Sequence, residues 1–308
     1  AKKVSQPFPM LSLIDDPNIH KKCAQIYSNE KYSRSDTFLK TPPYRDHKKI
    51  KIGYFSPDFN SRHPVGYLTA ELYENHDREK FEIHAFSFGL DVVDKVTNRI
   101  RAGVDYFHDV RKMSDYDVVK LTRSLEIDIA IDLAGFTGHR RTEIFFMSAA
   151  PVQASYLGYN GTMSSDFIDY SIVDQIVIPE NQKKNYSEKI VYLPNNYMSN
   201  DSKVKISNKV FKRKDVGLPA DGFVFCCFNN FYKINPITFT RWMKILSKVE
   251  GSVLWLSNAT NTVINNLKKE AKKNGIDENR LIFSTFLELK EDHLSRIKLA
   301  DLFLDTLP

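Results

Sequence analysis

A chain of 308 residues with 42% hydrophobic and 27% charged residues has the make-up of a globular protein with room for two α/β cores. Its formal charge of +6 comes from basic residues interleaved with acidic ones, which suits a small phosphate-bearing ligand better than a nucleic-acid surface. No apolar run approaches the roughly 20 residues that span a bilayer, and Cys23, Cys226 and Cys227 cannot build a disulfide framework, so a reducing, cytoplasmic setting without membrane or nucleic-acid partners is expected.

Residues 1–47 read as a short helical prelude with no signal-peptide pattern. Asp16-Pro17 is a helix start, and Ile19, Cys23, Ile26 and Tyr27 recur at helical spacing, predicting an apolar face that docks on the following domain or on further helices. Thr41-Pro42-Pro43 then breaks the pattern as a linker.

Over 48–205 strand and helix signals alternate. Strands are expected at 51–56, 81–88, 127–133, 152–157, 170–173 and 190–193, and helices at 64–74, 115–125 and 141–149. The polar, basic stretch 194–221 reads as an interdomain crossing. The rhythm restarts within 206–308: strands at 223–228, 252–256, 281–284 and 302–304, and helices at 236–249, 260–274 (closed by Gly275) and 291–298. The expected fold class is α/β, two doubly wound, Rossmann-like lobes with parallel sheets.

The stretch 226–236 is the most informative. A buried strand ends at Phe228, and Asn235-Pro236 starts a helix, Asn as N-cap and Pro in the first turn. The loop between them carries Asn230, Tyr232 and Lys233 at a strand's carboxyl end, facing a helix N-terminus, where open α/β sheets hold phosphates. From these residues alone, a diphosphate cradle and a solvated lysine in an ordinary turn remain equally open. The first lobe repeats the device in Ser56-Pro57-Asp58-Phe59-Asn60-Ser61-Arg62-His63-Pro64. Two such loops facing across a cleft would suit a nucleotide-sugar transferase.

Other groups predict scaffold roles. Asp115 and Asp117 have the spacing of a metal-binding pair, but they follow Ser114 at a helix start, where carboxylates suit the dipole. Cys226-Cys227 lacks the second pair or histidine that a zinc site needs. His84 and His108 sit in or beside strands as ordinary scaffold residues.

Motifs in order along the chain carry a resemblance. They are Ile52-Gly53-Tyr54-Phe55-Ser56-Pro57-Asp58-Phe59 with His63-Pro64, Leu157-Gly158-Tyr159-Asn160-Gly161-Thr162 with Asp169-Tyr170 and Asp174, and Tyr186-Ser187-Glu188-Lys189 with Tyr192-Leu193-Pro194. Phe228 to Pro236, Ser252-Val253-Leu254-Trp255-Leu256, and Lys290-Glu291-Asp292-His293-Leu294-Ser295-Arg296 with Ala300-Asp301 and Leu304-Asp305-Thr306 follow. Together they resemble the catalytic region of O-linked N-acetylglucosaminyltransferase and SPINDLY-type proteins, glycosyltransferase family 41. The prelude, with Pro7-Phe8 and Asp15-Asp16-Pro17, is similar to the segment joining that family's upstream tetratricopeptide repeats to its catalytic region.

The resemblance implies a two-lobed GT-B fold and inverting, metal-independent transfer of N-acetylglucosamine from UDP-GlcNAc to Ser or Thr hydroxyls of proteins. GDP-fucose as donor and a non-catalytic nucleotide-sugar-binding fragment are the alternatives. Carried over residue by residue, Lys233 would neutralise the donor diphosphate, with Asn230 and Tyr232 shaping its loop. Lys290, His293 and Arg296 would contact base and ribose, and His63 would be the proton acceptor or a sugar and acceptor ligand. Gly161 and Thr162 would let backbone and hydroxyl approach the sugar. Three positions depart from the family pattern: Ala134 where Asn is usual, Asn160 where Pro is common, and Ser164 where Gly is common. The chain starts without Met and stops after a strand-like run, so it reads as a piece of something longer. The second lobe is expected to be incomplete and the chain alone inactive.

Overall fold

All strand pairs among the described residues are parallel, and they form two separate sheets. The computed structural model describes residues 5–32, 40–45 and 47–306. It divides into two units, one running to Lys203 and the other from Val204 onward, with Ser12–Asp15 grouped with the second.

The chain opens with α1 (Pro7–Leu13) and α2 (Pro17–Lys31). The first sheet is then built from β1 (Ile50–Ser56), α3 (Pro64–Glu74), β2 (Phe81–Ser87), α4 (Lys95–Gly103) and β3 (Tyr106–Asp109). It continues through α5 (Asp115–Ser124), β4 (Ile129–Asp132), the single turn α6 (Glu143–Phe146), β5 (Val152–Tyr156), β6 (Tyr170–Val173) and β7 (Lys189–Tyr192). The strand order is β3-β2-β1-β4-β5-β6-β7. Side chains alternate between two buried faces, as parallel strands covered on both sides must. Ile52, Tyr54, Ile83 and Ala85 pack with Val65, Tyr73 and Ile100 of α3 and α4. Phe55, Phe86 and Ala130 pack on the other face with Ala24, Tyr27, Val118 and Ile144.

The second unit follows as β8 (Val224–Cys227), α7 (Pro236–Lys248), β9 (Val253–Leu256), α8 (Asn261–Lys273), β10 (Leu281–Phe283), α9 (Lys290–Arg296) and β11 (Leu302–Phe303), in the order β10-β9-β8-β11. Phe225 and Cys227 face Phe239, Trp242 and Leu246 of α7, while Val224 and Cys226 face Leu218 and Leu299. Each expected strand and each helix start is present to within a few residues. Local caps explain the sharpest boundaries: Asp16 accepts from Asn18 N and Ile19 N, and Asn235 Oδ1 from Thr238 N.

Two expectations are corrected, and two elements are added to those expected. The helix expected at 141–149 shrinks to the one turn of α6, because Ser148 takes a left-handed φ of 61°. The helix α4 and edge strand β3 lie in a charged stretch without a clear apolar period; α4 buries only Thr97, Ile100 and Gly103. In the prelude, only Tyr27 of the expected apolar face of α2 turns inward. Ala24, Tyr27 and Ser28 are buried against the first sheet's core, whereas Ile19, Cys23 and Ile26 line an open apolar groove with Met10. Among the described residues no helix is long and apolar enough to cross a membrane.

Candidate functional site

In each sheet the strand order reverses at one place. In the first unit β1 leads outward to β2 and β3 on one side, and β4 starts the other side; in the second, β8 leads to β9 and β10, with β11 opposite. Ligands of open α/β sheets bind outside the carboxyl ends of the two strands flanking such a reversal. The loop after β1 carries His63, and the loop after β8 carries Lys233.

In the second unit, Asn230 starts a 3-10 turn over Phe231–Lys233, closed by Lys233 N donating to Asn230 O at 3.0 Å. Asn229 Nδ2 reaches across the reversal to Asp305 Oδ1 at 2.6 Å and Thr306 Oγ1 at 3.0 Å, joining the loop after β8 to the loop after β11. Asn230 is exposed, Tyr232 is 50% exposed and Lys233 is half-buried. Among the described residues no carboxylate forms an ion pair with Lys233, which lies at the amino end of α7.

The three α9 residues divide by depth. Lys290 is exposed and His293 half-buried, but Arg296 is only 4% exposed. The Arg296 guanidinium donates from Nη1 to Thr285 O at 2.6 Å and from Nε to His293 Nδ1 at 3.1 Å. It also lies over the rings of Phe228 and Trp255, at 5.8 and 5.9 Å. The Arg296 charge is therefore interior, held between Thr285 O and the His293 ring. Burial, then the charges of Arg296 and Lys290, hold the His293 imidazole below its ordinary value. With Nδ1 accepting, the neutral ring carries its hydrogen on Nε2 and offers a donor. His293 also meets the ring of Phe228 edge-on at 5.2 Å, so α9 borders the same strand end as Lys233.

In the first unit His63 is the N-cap of α3 and is 48% exposed on its side chain. Its Nδ1 accepts from Val65 N at 3.3 Å and lies 3.4 Å from Asp58 Oδ2. Burial raises the Asp58 carboxyl, and the nearby His63 and His139 charges act against that rise.

Gly161 and Thr162 lie in the loop after β5. Thr162 is 3% exposed, and its hydroxyl donates to Glu188 Oε2 at 2.7 Å while accepting from Ser164 N at 3.0 Å and Ser187 N at 3.3 Å. Its one donor and two acceptor sites are all engaged within the protein. Gly161 is buried too, and a Cβ there would meet the Tyr159 hydroxyl oxygen at 2.6 Å. Both residues build the loop. The departures fit the same loop: Asn160 Nδ2 donates to Tyr197 Oη at 2.8 Å, and Ser164 holds a left-handed φ of 45°, where a glycine would be unstrained. From the prelude, Ser28 Oγ donates to Met163 O at 2.7 Å, bracing the loop from α2.

Several residues escaped the sequence reading. Asp132, 3% exposed at the end of β4, accepts from Ala134 N and Gly135 N at 2.8 and 3.0 Å, and burial pushes its carboxyl up to about 6. Its Oδ2 and the hydroxyl of Ser155, its register partner on β5, have no hydrogen-bond partner. Asp58 pairs with His63 within one loop, whereas the partners of Glu188, Thr162 and Met163, come from a distant loop and carry no local signature. At the start of α5, Ser114 Oγ accepts from Asp117 N at 3.2 Å and donates to Asp117 Oδ2 at 2.6 Å, while Asp115 pairs with Arg141. His84 and His108 stack and share a 3.0 Å hydrogen bond within the first sheet. Cys23, Cys226 and Cys227 are free, and no cluster of three or more metal-ligating side chains occurs among the described residues.

The family description Glycosyl transferase family 41 matches residues 24–208 and 199–308. An Arabidopsis thaliana protein named as a probable UDP-N-acetylglucosamine–peptide N-acetylglucosaminyltransferase SEC is 37% identical over 264 residues, which are 84% of this chain and 27% of that protein. A Caenorhabditis elegans UDP-N-acetylglucosamine–peptide N-acetylglucosaminyltransferase is 23% identical over 84% of this chain and 32% of its own length. The chain thus spans about a quarter to a third of these relatives. Among solved structures, a mutant O-GlcNAc transferase from Thermobaculum terrenum superposes with a TM-score of 0.83 at 28% identity, covering 95% of this chain and 55% of that one. Family profile, relatives and a shared GT-B type of fold agree: the chain belongs to glycosyltransferase family 41.

Proposed function

We propose that this chain is catalytic region of a transferase that moves N-acetylglucosamine from UDP-GlcNAc to Ser or Thr hydroxyls of protein acceptors, with inversion at the anomeric carbon. The observation that carries the reading is Lys233, a cation without a carboxylate partner among the described residues, at the strand reversal of the second sheet. The names of the family relatives support UDP-GlcNAc as donor over GDP-fucose, since both relatives above are described as UDP-N-acetylglucosamine–peptide transferases.

In this reading the acceptor oxygen forms a bond to the anomeric carbon as the bond from that carbon to the β-phosphate oxygen breaks. Negative charge grows on the departing diphosphate, and Lys233 meets it. His293, neutral with Nε2–H outward, binds the nucleoside, with Lys290 beside it and Arg296 holding its ring. Asn230 and Tyr232 shape the wall of the loop. His63 takes the hydroxyl proton on Nε2. The setting is cytoplasmic, in keeping with three free cysteines, and a tetratricopeptide region upstream would present the acceptor. No resident metal or cofactor is part of this reading.

The test is a thermal-shift panel of UDP and GDP, followed by Lys233→Ala. Stabilisation by UDP and not GDP is expected, and the variant should lose about 10²-fold or more in turnover with an unchanged melting temperature. Stabilisation by GDP alone would overturn the donor, and retained turnover would remove Lys233 from the leaving-group role.

A further inference from the structure

We propose that Asp58 is the positioning residue that puts His63 into its proton-accepting tautomer. This rests on the reading of His63 as the proton acceptor, and it follows from a conflict at one nitrogen. His63 Nδ1 faces Val65 N–H at 3.3 Å and Asp58 Oδ2 at 3.4 Å. The two neighbours demand opposite states. An amide hydrogen needs a lone pair on Nδ1; a carboxylate needs a hydrogen there. In the first state the ring's hydrogen sits on Nε2, which can then only donate. In the second, Nε2 carries the lone pair and can accept a proton.

Charge decides between them. A ring N–H facing an ionised carboxylate makes a charge-assisted bond, about twice as strong as the neutral contact to Val65. The Val65 amide belongs to the first turn of α3, where amides have no intrahelical acceptor in any case. Both contacts are long, and a small rotation of a half-exposed ring shortens one at the expense of the other.

The loop is built to hold the carboxylate still. Asp58 N donates to Ser56 Oγ at 2.9 Å, and Asp58 O accepts from Asn60 N at 2.8 Å. The same carbonyls rest on the start of α3 at Gly66, where a Cβ would lie 2.4 Å from Asp58 O and 2.2 Å from Asn60 O. On the other flank, His139 in the loop after β4 adds a second imidazole whose charge favours ionised Asp58.

The proton then moves in one direction. As the acceptor oxygen bonds to the anomeric carbon, its hydrogen passes to His63 Nε2 and the diphosphate leaves with the electron pair of the broken bond. The imidazolium so formed keeps its Nδ1–H toward Asp58, which stays ionised and stabilises the cation. The ring afterwards returns the Nε2 proton to solvent.

The test reads the tautomer, not only turnover. The intact protein is labelled with 15N-histidine, and long-range 1H–15N correlation at neutral pH shows which ring nitrogen of His63 carries the hydrogen, with a His63→Gln sample identifying the signal. Nδ1–H is expected in the parent protein and Nε2–H in Asp58→Asn, whose amide can donate to Nδ1. The same variant should lose about 10²-fold or more in turnover with UDP affinity unchanged. An Nε2–H ring in the parent protein overturns the proposal, and that measurement stands even if the variant fails to fold. An unchanged Nδ1–H ring in Asp58→Asn overturns it as well. If the tautomers switch as expected but His63→Gln still turns over, the tautomer control holds and the reading of His63 as proton acceptor is what fails.

Discussion

Thr162 gives its hydroxyl hydrogen to the buried carboxylate of Glu188, 2.7 Å away and 26 residues along the chain. Glu188 also accepts from the backbone N–H groups of Met163 and Ser187, so one side chain closes the loop after β5 onto the entry to β7. Glu188→Ala leaves three donors without their acceptor and should cost about 3 kcal/mol, read as a lower urea midpoint. Thr162→Ser keeps the hydroxyl and should change stability by less than about 1 kcal/mol. A large loss of turnover in a stable Thr162→Ser protein would return Thr162 to the sugar.

Asp132 should make stability fall as pH rises. Its carboxyl is pushed up to about 6 by burial, above the ordinary 3.8, so between those values the folded state binds more protons than the unfolded one. The favourable contribution is complete below the unfolded value and is lost as pH climbs through 6. At neutral pH the ionised, half-satisfied carboxylate costs on the order of 2–3 kcal/mol. Asp132→Asn keeps an oxygen for Ala134 N and Gly135 N and adds a donor facing Ser155. It should raise the urea midpoint at pH 7.5 and flatten the profile between about pH 4 and 7. A variant less stable than the parent at neutral pH contradicts this account.

Arg296 should act on the nucleotide through His293. Arg296→Met removes the Nε–H that fixes the imidazole, and with it one of the charges that keep the ring neutral. UDP affinity should drop about tenfold, and the His293 titration should move up toward the ordinary imidazole value. Calorimetry gives the first and NMR titration the second. Unaltered titration would mean that burial alone keeps His293 neutral.

Gly66 gives a prediction whose sign opposes helix propensity. Alanine is the better helix former by roughly 1 kcal/mol, yet its Cβ would lie 2.2 Å from Asn60 O. Backbone must shift, so Gly66→Ala should destabilise the protein by about 1–3 kcal/mol and displace the Asp58 loop. Chemical denaturation decides the sign.

Read residue by residue, the sequence by itself determined the alternation of strands and helices, the helix starts at Asp16 and Asn235, and both loops that lie at the strand reversals. These depend on contacts a few residues apart and on periodicity, which one chain displays directly. The family motifs added which loops matter. Only the tertiary structure decided depth and partnership. It turned α2 so that Ala24 joins Tyr27 inward and Ile19 does not, drew Arg296 into the interior, and engaged the hydroxyl of Thr162 with Glu188. It also left Asp132 half-satisfied beside Ser155. Burial and hydrogen-bond saturation belong to pairs of residues distant in sequence, so a linear pattern names the side chains that can do chemistry without telling which remain free to do it.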